Sequence, residues 1–370
     1  MSTKHAEVIV IGAGGVGSMA LKALGDRGVR AIGLDRFAPP HDRGSSHGDT
    51  RVIRLAYLEH PDYVPLLRRA YDHWAELEAQ SKTKLYDERG LLQVGPPEGH
   101  VVAGVKEAAR IHRLEIDEYT AEQAQKRFPG LRVPVHMSAV FERRAGFLWV
   151  EKAIQAALEQ ARASGTVTVD TGVTVRGWRE EGGGITVDTD HGPYTAERII
   201  VCPGAWAPDL LGELGVPFEI RRKTLLWFDA PPDDNPVWLF DMPGGVFYGF
   251  PSLPGSGLKA ALHTGGDRVV DPLGVDREIH ASDRAPVEAF IEAHLVNRGP
   301  YTRGKTCLYT LTPDEHFVVD QHPRSKKAVV VCGLSGHGFK LASALGAIAV
   351  ELAIDGVTES PIDFLRLSRF

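Results

Sequence analysis

The sequence predicts an α/β fold in two domains, and three observations carry that expectation. A chain of 370 residues with 43% hydrophobic and 24% charged composition exceeds what one ordinary core encloses. Near the N-terminus an apolar β-branched run meets a glycine-rich turn and then a helical pattern. The same order of strand, glycine loop and helix returns at 328–352, so a single sheet can draw on both ends of the chain.

Val8-Ile-Val-Ile11 forms the first strand and runs into Gly12-Ala-Gly14-Gly-Val-Gly17, followed by a helix over 18–25. This is GxGxxG in a Rossmann-like context. Its glycines allow a tight turn and a close backbone approach to a pyrophosphate, whose charge sits against the free N–H groups at the helix start. A second strand at 29–34 ends in Asp35, placed to bind a ribose hydroxyl. The motif predicts a bound dinucleotide without choosing between FAD and NAD(P). Regular βα units do not follow: residues 36–50 form a long polar loop rich in Gly and Pro, which suggests a function of its own.

Residues 63–82 read as an amphipathic helix with Leu66, Leu67, Trp74 and Leu77 at helical spacing, and 85–141 mixes short strands with two helical stretches. A helix from Val150 leads to strands at 167–169, 173–178, 185–189 and 196–201, which resemble a meander. The last ends in Cys202-Pro-Gly204, as if rejoining the nucleotide-binding sheet. A second domain spans 217–311, with strand-like runs at 223–228, 246–249 and 258–263. The final glycine loop, Gly333-Leu-Ser-Gly336-His-Gly338-Phe-Lys340, opens a helix whose positive end faces the sheet edge.

Composition excludes several classes of function. A net charge of −6, with 42 basic and 48 acidic residues spread along the chain, offers no tract for a nucleic-acid backbone. Cys202, Cys307 and Cys332 form neither a disulfide framework nor a zinc spacing, and no metal site is expected. The longest apolar run, 341–354, contains Ser343 and Glu351 and reads as a buried helix, not a membrane span. With a strand beginning almost at once, no secretory signal is expected, and a reducing cytoplasm fits best.

Six blocks, in order, resemble the monomeric sarcosine oxidase and N-methyltryptophan oxidase group of FAD-dependent amine oxidases, which have the D-amino-acid-oxidase-like fold. These are the loop at 12–17; Pro39-Pro-His41 with Gly44-Ser45-Ser-His47-Gly-Asp-Thr50-Arg51-Val-Ile-Arg54; Tyr248-Gly-Phe-Pro251; Gly257-Leu-Lys259 with His263; Cys307-Leu-Tyr309-Thr with Asp314 to Asp320; and the loop at 333–340. The resemblance covers essentially the full length. It implies a discontinuous FAD-binding domain (1–85, 146–215 and 316–370) and an α+β substrate domain (86–145 and 216–315) with a large mixed or antiparallel sheet. Cys307 matches the cysteine that carries the flavin through its 8α-methyl carbon, and Lys259 the lysine that promotes reaction with O₂. Arg54 and Lys340 match the pair that clamps a substrate carboxylate, Arg51 the arginine beside the flavin ring, and His263, Tyr309 and Tyr248 the side chains of the substrate cavity. Ser45, His47, Thr50, Gly336 and Gly338 fall in the flavin-binding blocks. Ser46 stands where the family block commonly has a histidine.

Spacing agrees with these roles independently. On strands, Lys259 and His263 share a face, as do Cys307 and Tyr309. His316 and His337 belong to the motifs, while His60, His112 and His294 have no motif support and are expected to face solvent.

The implied reaction converts sarcosine, O₂ and water to glycine, formaldehyde and H₂O₂, by a monomer that needs no other partner. The alternatives are N-methyltryptophan or another secondary amino acid as substrate, a flavin dehydrogenase with a different electron acceptor, and a nucleotide-binding protein without turnover.

Overall fold

The computed structural model describes residues 4–370, which form three sheets of eight, nine and three strands. The strand Lys4–Ile11 lies at the centre of the eight-stranded sheet, parallel to Ala31–Asp35 on one side and Tyr194–Val201 on the other. Val167–Thr171 adds in parallel beyond Ala31–Asp35, and Ser325–Cys332 in parallel beyond Tyr194–Val201. Both ends of the chain therefore meet in one sheet, as the repeated strand, loop and helix pattern predicts.

Helices Gly15–Asp26, Val150–Ala163 and Ala342–Ile354 pack together on one face of this sheet. Small residues make the crossings close. A Cβ on Gly346 would lie 2.6 Å from the Met19 Cβ, so only glycine permits that approach. The long helix Tyr63–Ser81 buries Leu66, Leu67, Trp74 and Leu77, the four positions that its periodicity marks. None of the helices among the described residues is long and apolar enough to cross a membrane.

One strand differs from expectation. Val167–Thr171 does not join the meander, which comprises Val175–Glu181, Gly184–Thr189 and Tyr194–Val201. It follows helix Val150–Ala163 and pairs in parallel at the far edge, because a strand that leaves a covering helix returns to the sheet beneath it.

The nine-stranded sheet is mixed. Leu91–Gly95 pairs in parallel with Val237–Met242, while the long strands Glu219–Phe228 and Tyr301–Leu311 run antiparallel over most of their length. Gly245–Leu253 and Gly257–Leu262 complete its centre. A small antiparallel sheet joins Thr50–Ile53 to Gly146–Trp149 and Tyr86–Asp87, and sits where the polar loop turns toward the second domain.

Candidate active site

A cavity of about 630 Å³ extends from the first glycine loop to the face of the nine-stranded sheet. Gly12, Gly14, Gly17 and Asp35 line one end; Ser45, Arg51, Arg54, Tyr248, His263, Tyr309, Gly336, Gly338 and Lys340 line the rest.

The nucleotide end owes its shape to glycine. Gly12 has φ +87°, and a Cβ there would meet the Cys202 carbonyl oxygen at 2.3 Å; one on Gly17 would lie 1.7 Å from the Gly12 oxygen. Gly14, by contrast, has open space where its Cβ would be, on the cavity side. The Asp35 carboxylate accepts hydrogen bonds from Ala13 N (2.8 Å) and Phe37 N (2.9 Å), which fixes it at the cavity edge. Its remaining lone pairs can accept a ribose hydroxyl.

Further along, a buried charged cluster forms. Arg54 donates to both oxygens of Glu59 at 2.8 Å and lies over the Tyr57 ring at 4.9 Å. Lys340 Nζ donates to the His337 carbonyl (2.7 Å) and to Tyr57 Oη (3.3 Å). Burial, with Arg54 and Arg51 close by, lowers its pKa to about 7 against the pull of Glu59. Burial alone would raise the Glu59 pKa, but Arg54, His337 and Lys340 hold it well below the ordinary carboxylate range. Glu142 fixes the backbone that follows Arg54, its oxygens accepting from Leu55 N and Ala56 N at 2.7 and 2.9 Å.

The sheet supplies the opposite wall. His263 Nδ1 and Tyr309 Oη are 3.2 Å apart, and burial, together with Lys223, Arg54 and Lys340, lowers the His263 pKa to about 4. Leu239 pairs directly across from Tyr248, and Val246 precedes it by two residues, so the three share one face and line the cavity with Leu58 and Val101.

A second layer is buried behind these residues. Cys307 Sγ lies 3.5 Å from the Arg51 guanidinium and 3.4 Å from the Ser45 carbonyl oxygen. Lys259 donates to the carbonyls of Gly48 (2.6 Å) and Thr50 (2.7 Å) and to Thr50 Oγ1 (3.3 Å), while burial and Arg51 hold its pKa well below the ordinary value. The polar loop that carries these partners is pinned by Glu151, which accepts from Gly48 N and Asp49 N. Among the described residues, neither ring nitrogen of buried His47 has a protein partner in hydrogen-bond geometry. Their desolvation needs a ligand or solvent to offset it. The open face of the glycine loop at Gly14 and the fixed Asp35 carboxylate at the cavity edge therefore fit a dinucleotide.

Arg51, Arg54, His263, Tyr309, Tyr248, Lys340 and the predicted glycines thus share one cavity, whereas Lys259, His47, Thr50 and Cys307 are not among its lining residues. The sequence reading misses Glu59, Tyr57, Glu142 and Glu151. Only Glu59 has a sequence signal, as a carboxylate five positions after a motif arginine, and in a loop that spacing is uninformative. His112 and His294 are half-buried instead of solvent-facing, whereas the His60 side chain keeps 42% exposure. His294 packs on Phe290 of its own helix and on Phe240 and bonds the Arg132 carbonyl; the last two contacts are made by the fold and not by its neighbours in sequence.

The FAD-dependent oxidoreductase (DAO) family matches residues 7–352. A monomeric sarcosine oxidase of Bacillus sp. (strain B-0618) is 38% identical over 100% of this chain and 97% of its own length. An N-methyl-L-tryptophan oxidase of Escherichia coli (strain K12) is 35% identical over 98% of this chain and 99% of that enzyme. Among solved structures, the open form of NikD, an unusual amino acid oxidase essential for nikkomycin biosynthesis, has a TM-score of 0.87 at 25% identity and covers 98% of both chains.

Proposed function

Because the chain belongs to the FAD-dependent oxidoreductase (DAO) family, we propose that it is an FAD-dependent oxidase of N-methyl amino acids that converts sarcosine, O₂ and water to glycine, formaldehyde and H₂O₂. The observation that carries this reading is the buried cationic pair Arg54 and Lys340, facing the same cavity as the glycine loop. A guanidinium fork and an ammonium suit a carboxylate, and nothing else in a small amino acid needs both.

When bound, FAD supplies the two-electron acceptor for oxidation of the C–N bond. The chain's own residues supply orientation and charge. Glu59 occupies Arg54 at 2.8 Å, so the substrate carboxylate must take over that guanidinium. Arg51, Arg54 and Lys340 together favour the neutral amine, the form with a lone pair to give. His263 and Tyr309 close the cavity on the sheet side. Cys307, beside Arg51, would hold the flavin covalently, and Lys259, bonded to the Gly48 and Thr50 carbonyls behind the polar loop, would favour negative charge developing on O₂. Segments 1–85, 146–215 and 316–370 form the FAD-binding domain, with 86–145 and 216–315 as the substrate domain. In support, every strand of the eight-stranded sheet falls in the first set and every strand of the nine-stranded sheet in the second. The protein acts as a cytoplasmic monomer.

The apolar wall of Leu58, Val101, Leu239 and Val246 favours a second reading within the family, a bulkier N-methyl amino acid such as N-methyltryptophan. One experiment addresses both readings. Acid precipitation should leave yellow protein in the pellet, and peroxide should form with sarcosine. Colour only in the supernatant would remove the Cys307 linkage; peroxide with N-methyltryptophan alone would transfer the function to the second reading, and none with either would overturn both.

A further inference from the structure

Lys223 is a buried cation that the proposed chemistry does not use. It lies on Glu219–Phe228 directly opposite Cys307, and the residue is 5% exposed. Its ammonium donates to the carbonyls of Thr264 (2.6 Å) and Gly265 (3.1 Å) and lies 5.6 Å from the centre of the Tyr309 ring. Its hydrogen-bond partners are thus backbone carbonyls, and among the described residues no carboxylate lies within salt-bridge distance of it. Burying an ammonium in this way is unfavourable unless the arrangement serves something else.

The geometry points to Lys223 as a positioning residue of the active site: its ammonium staples the Thr264–Gly265 turn and thereby holds His263 and Thr264 against Tyr309 in the cavity wall. Beyond the lysine, the turn is held at its far end by Arg221, which donates to the Gly266 carbonyl (2.8 Å), and by the pairing of Asp267–Val269 with residues 220–222. Gly265 and Gly266 have φ +68° and +102°, and both are exposed. Across the turn, His263 N donates to the Val246 carbonyl (2.7 Å) and Val246 N to Thr264 Oγ1 (3.2 Å). A loose turn would therefore disturb Val246 as well as His263 and Thr264, three residues of the cavity lining.

Charge reinforces the mechanical role. Lys223 is among the cations that keep His263 neutral, with Arg54 and Lys340, while Glu59 opposes them. The groups around Lys223 itself are Cys307 and Tyr309 on the neighbouring strand, Arg221 on its own strand and Asp267 on the edge strand Asp267–Val269. Burial brings its pKa down to about 8, with Cys307 and Asp267 pulling upward and Arg221 downward. The staple is consequently intact when the lysine is charged and weakens as pH rises through that value.

Hydrogen exchange of the purified flavoprotein reads the staple without turnover, in peptides that cover Val246 and His263. With intrinsic rates corrected, wild-type protection should be present at about pH 7 and fall at about pH 9.5. Lys223→Met should be about tenfold less protected at both, and Lys223→Arg, still charged, protected at both. Steady-state peroxide assays with sarcosine should show KM raised about tenfold in Lys223→Met, kcat within about twofold, and recovery in Lys223→Arg. Protection in Lys223→Met equal to wild type, or a loss with no pH dependence in wild type, would overturn the proposal. Absence of turnover with sarcosine in wild type counts against the substrate assignment alone, because the exchange measurement still decides the staple.

Discussion

At the scale of single residues, the site is a competition among buried charges. Lys340 is cationic below about pH 7 and loses its charge above it, so carboxylate binding should weaken as pH rises through that value. Acetate, which has no amine to titrate, isolates the effect as a competitive inhibitor: its Ki should climb above about pH 7 in wild type. In Lys340→Met the Ki should be weaker by about ten- to hundredfold, the loss of one charge-assisted hydrogen bond, and flat with pH. A sloping profile in the variant would assign the titration elsewhere. Glu59→Gln tests the other side of the competition. It frees Arg54 from a rival carboxylate and should tighten acetate binding, while thermal stability falls because a buried guanidinium loses its counter-charge. Lys259→Met should slow reoxidation of the reduced enzyme by O₂ in stopped flow and leave anaerobic reduction less affected; unchanged reoxidation would remove Lys259 from that step.

At the scale of elements, the turn between Lys4–Ile11 and Gly15–Asp26 separates folding from binding. Gly14→Ala adds a methyl where no protein atom lies within 4 Å, so the melting temperature should stay near wild type while flavin content, read as the 450 to 280 nm absorbance ratio, falls. Gly17→Ala drives a Cβ into the Gly12 carbonyl and should lower stability by at least about 1–3 kcal/mol, with flavin lost as a consequence. Equal melting temperatures for the two variants would contradict this assignment. This element was legible because its signal is local: GxGxxG, the strand before it and the helix after it lie within one short stretch. The helix Tyr63–Ser81 was legible for the same reason, through a 3.6-residue period. Val167–Thr171 falls outside the expected meander because a short apolar strand carries no label for its partner; the preceding helix decides that.

At the scale of the whole molecule, Cys307 belongs to the nine-stranded sheet and the glycine loop to the eight-stranded one, so a flavin bound at both spans the two halves. Cys307→Ser should keep yellow cofactor that acid releases into the supernatant. Its melting temperature should rise with added FAD, by mass action on a dissociable ligand, whereas a wild type linked through Cys307 should not respond. A variant insensitive to FAD, or colour retained in its acid pellet, would place the linkage elsewhere.

The sequence by itself determined the glycine loops, the strands that flank them, the meeting of both chain ends in one sheet, and the order of the cationic and aromatic motifs, because each is written in contiguous residues or simple periodicity. Only the tertiary structure decided that Glu59 occupies Arg54, that Lys259 lies behind the polar loop with its ammonium bound to Gly48 and Thr50, and that Lys223 sits under the Thr264–Gly265 turn. Those contacts join residues from loops and separate strands. Burial then fixes their protonation, because desolvation depends on everything packed around a group and not on its neighbours in the chain.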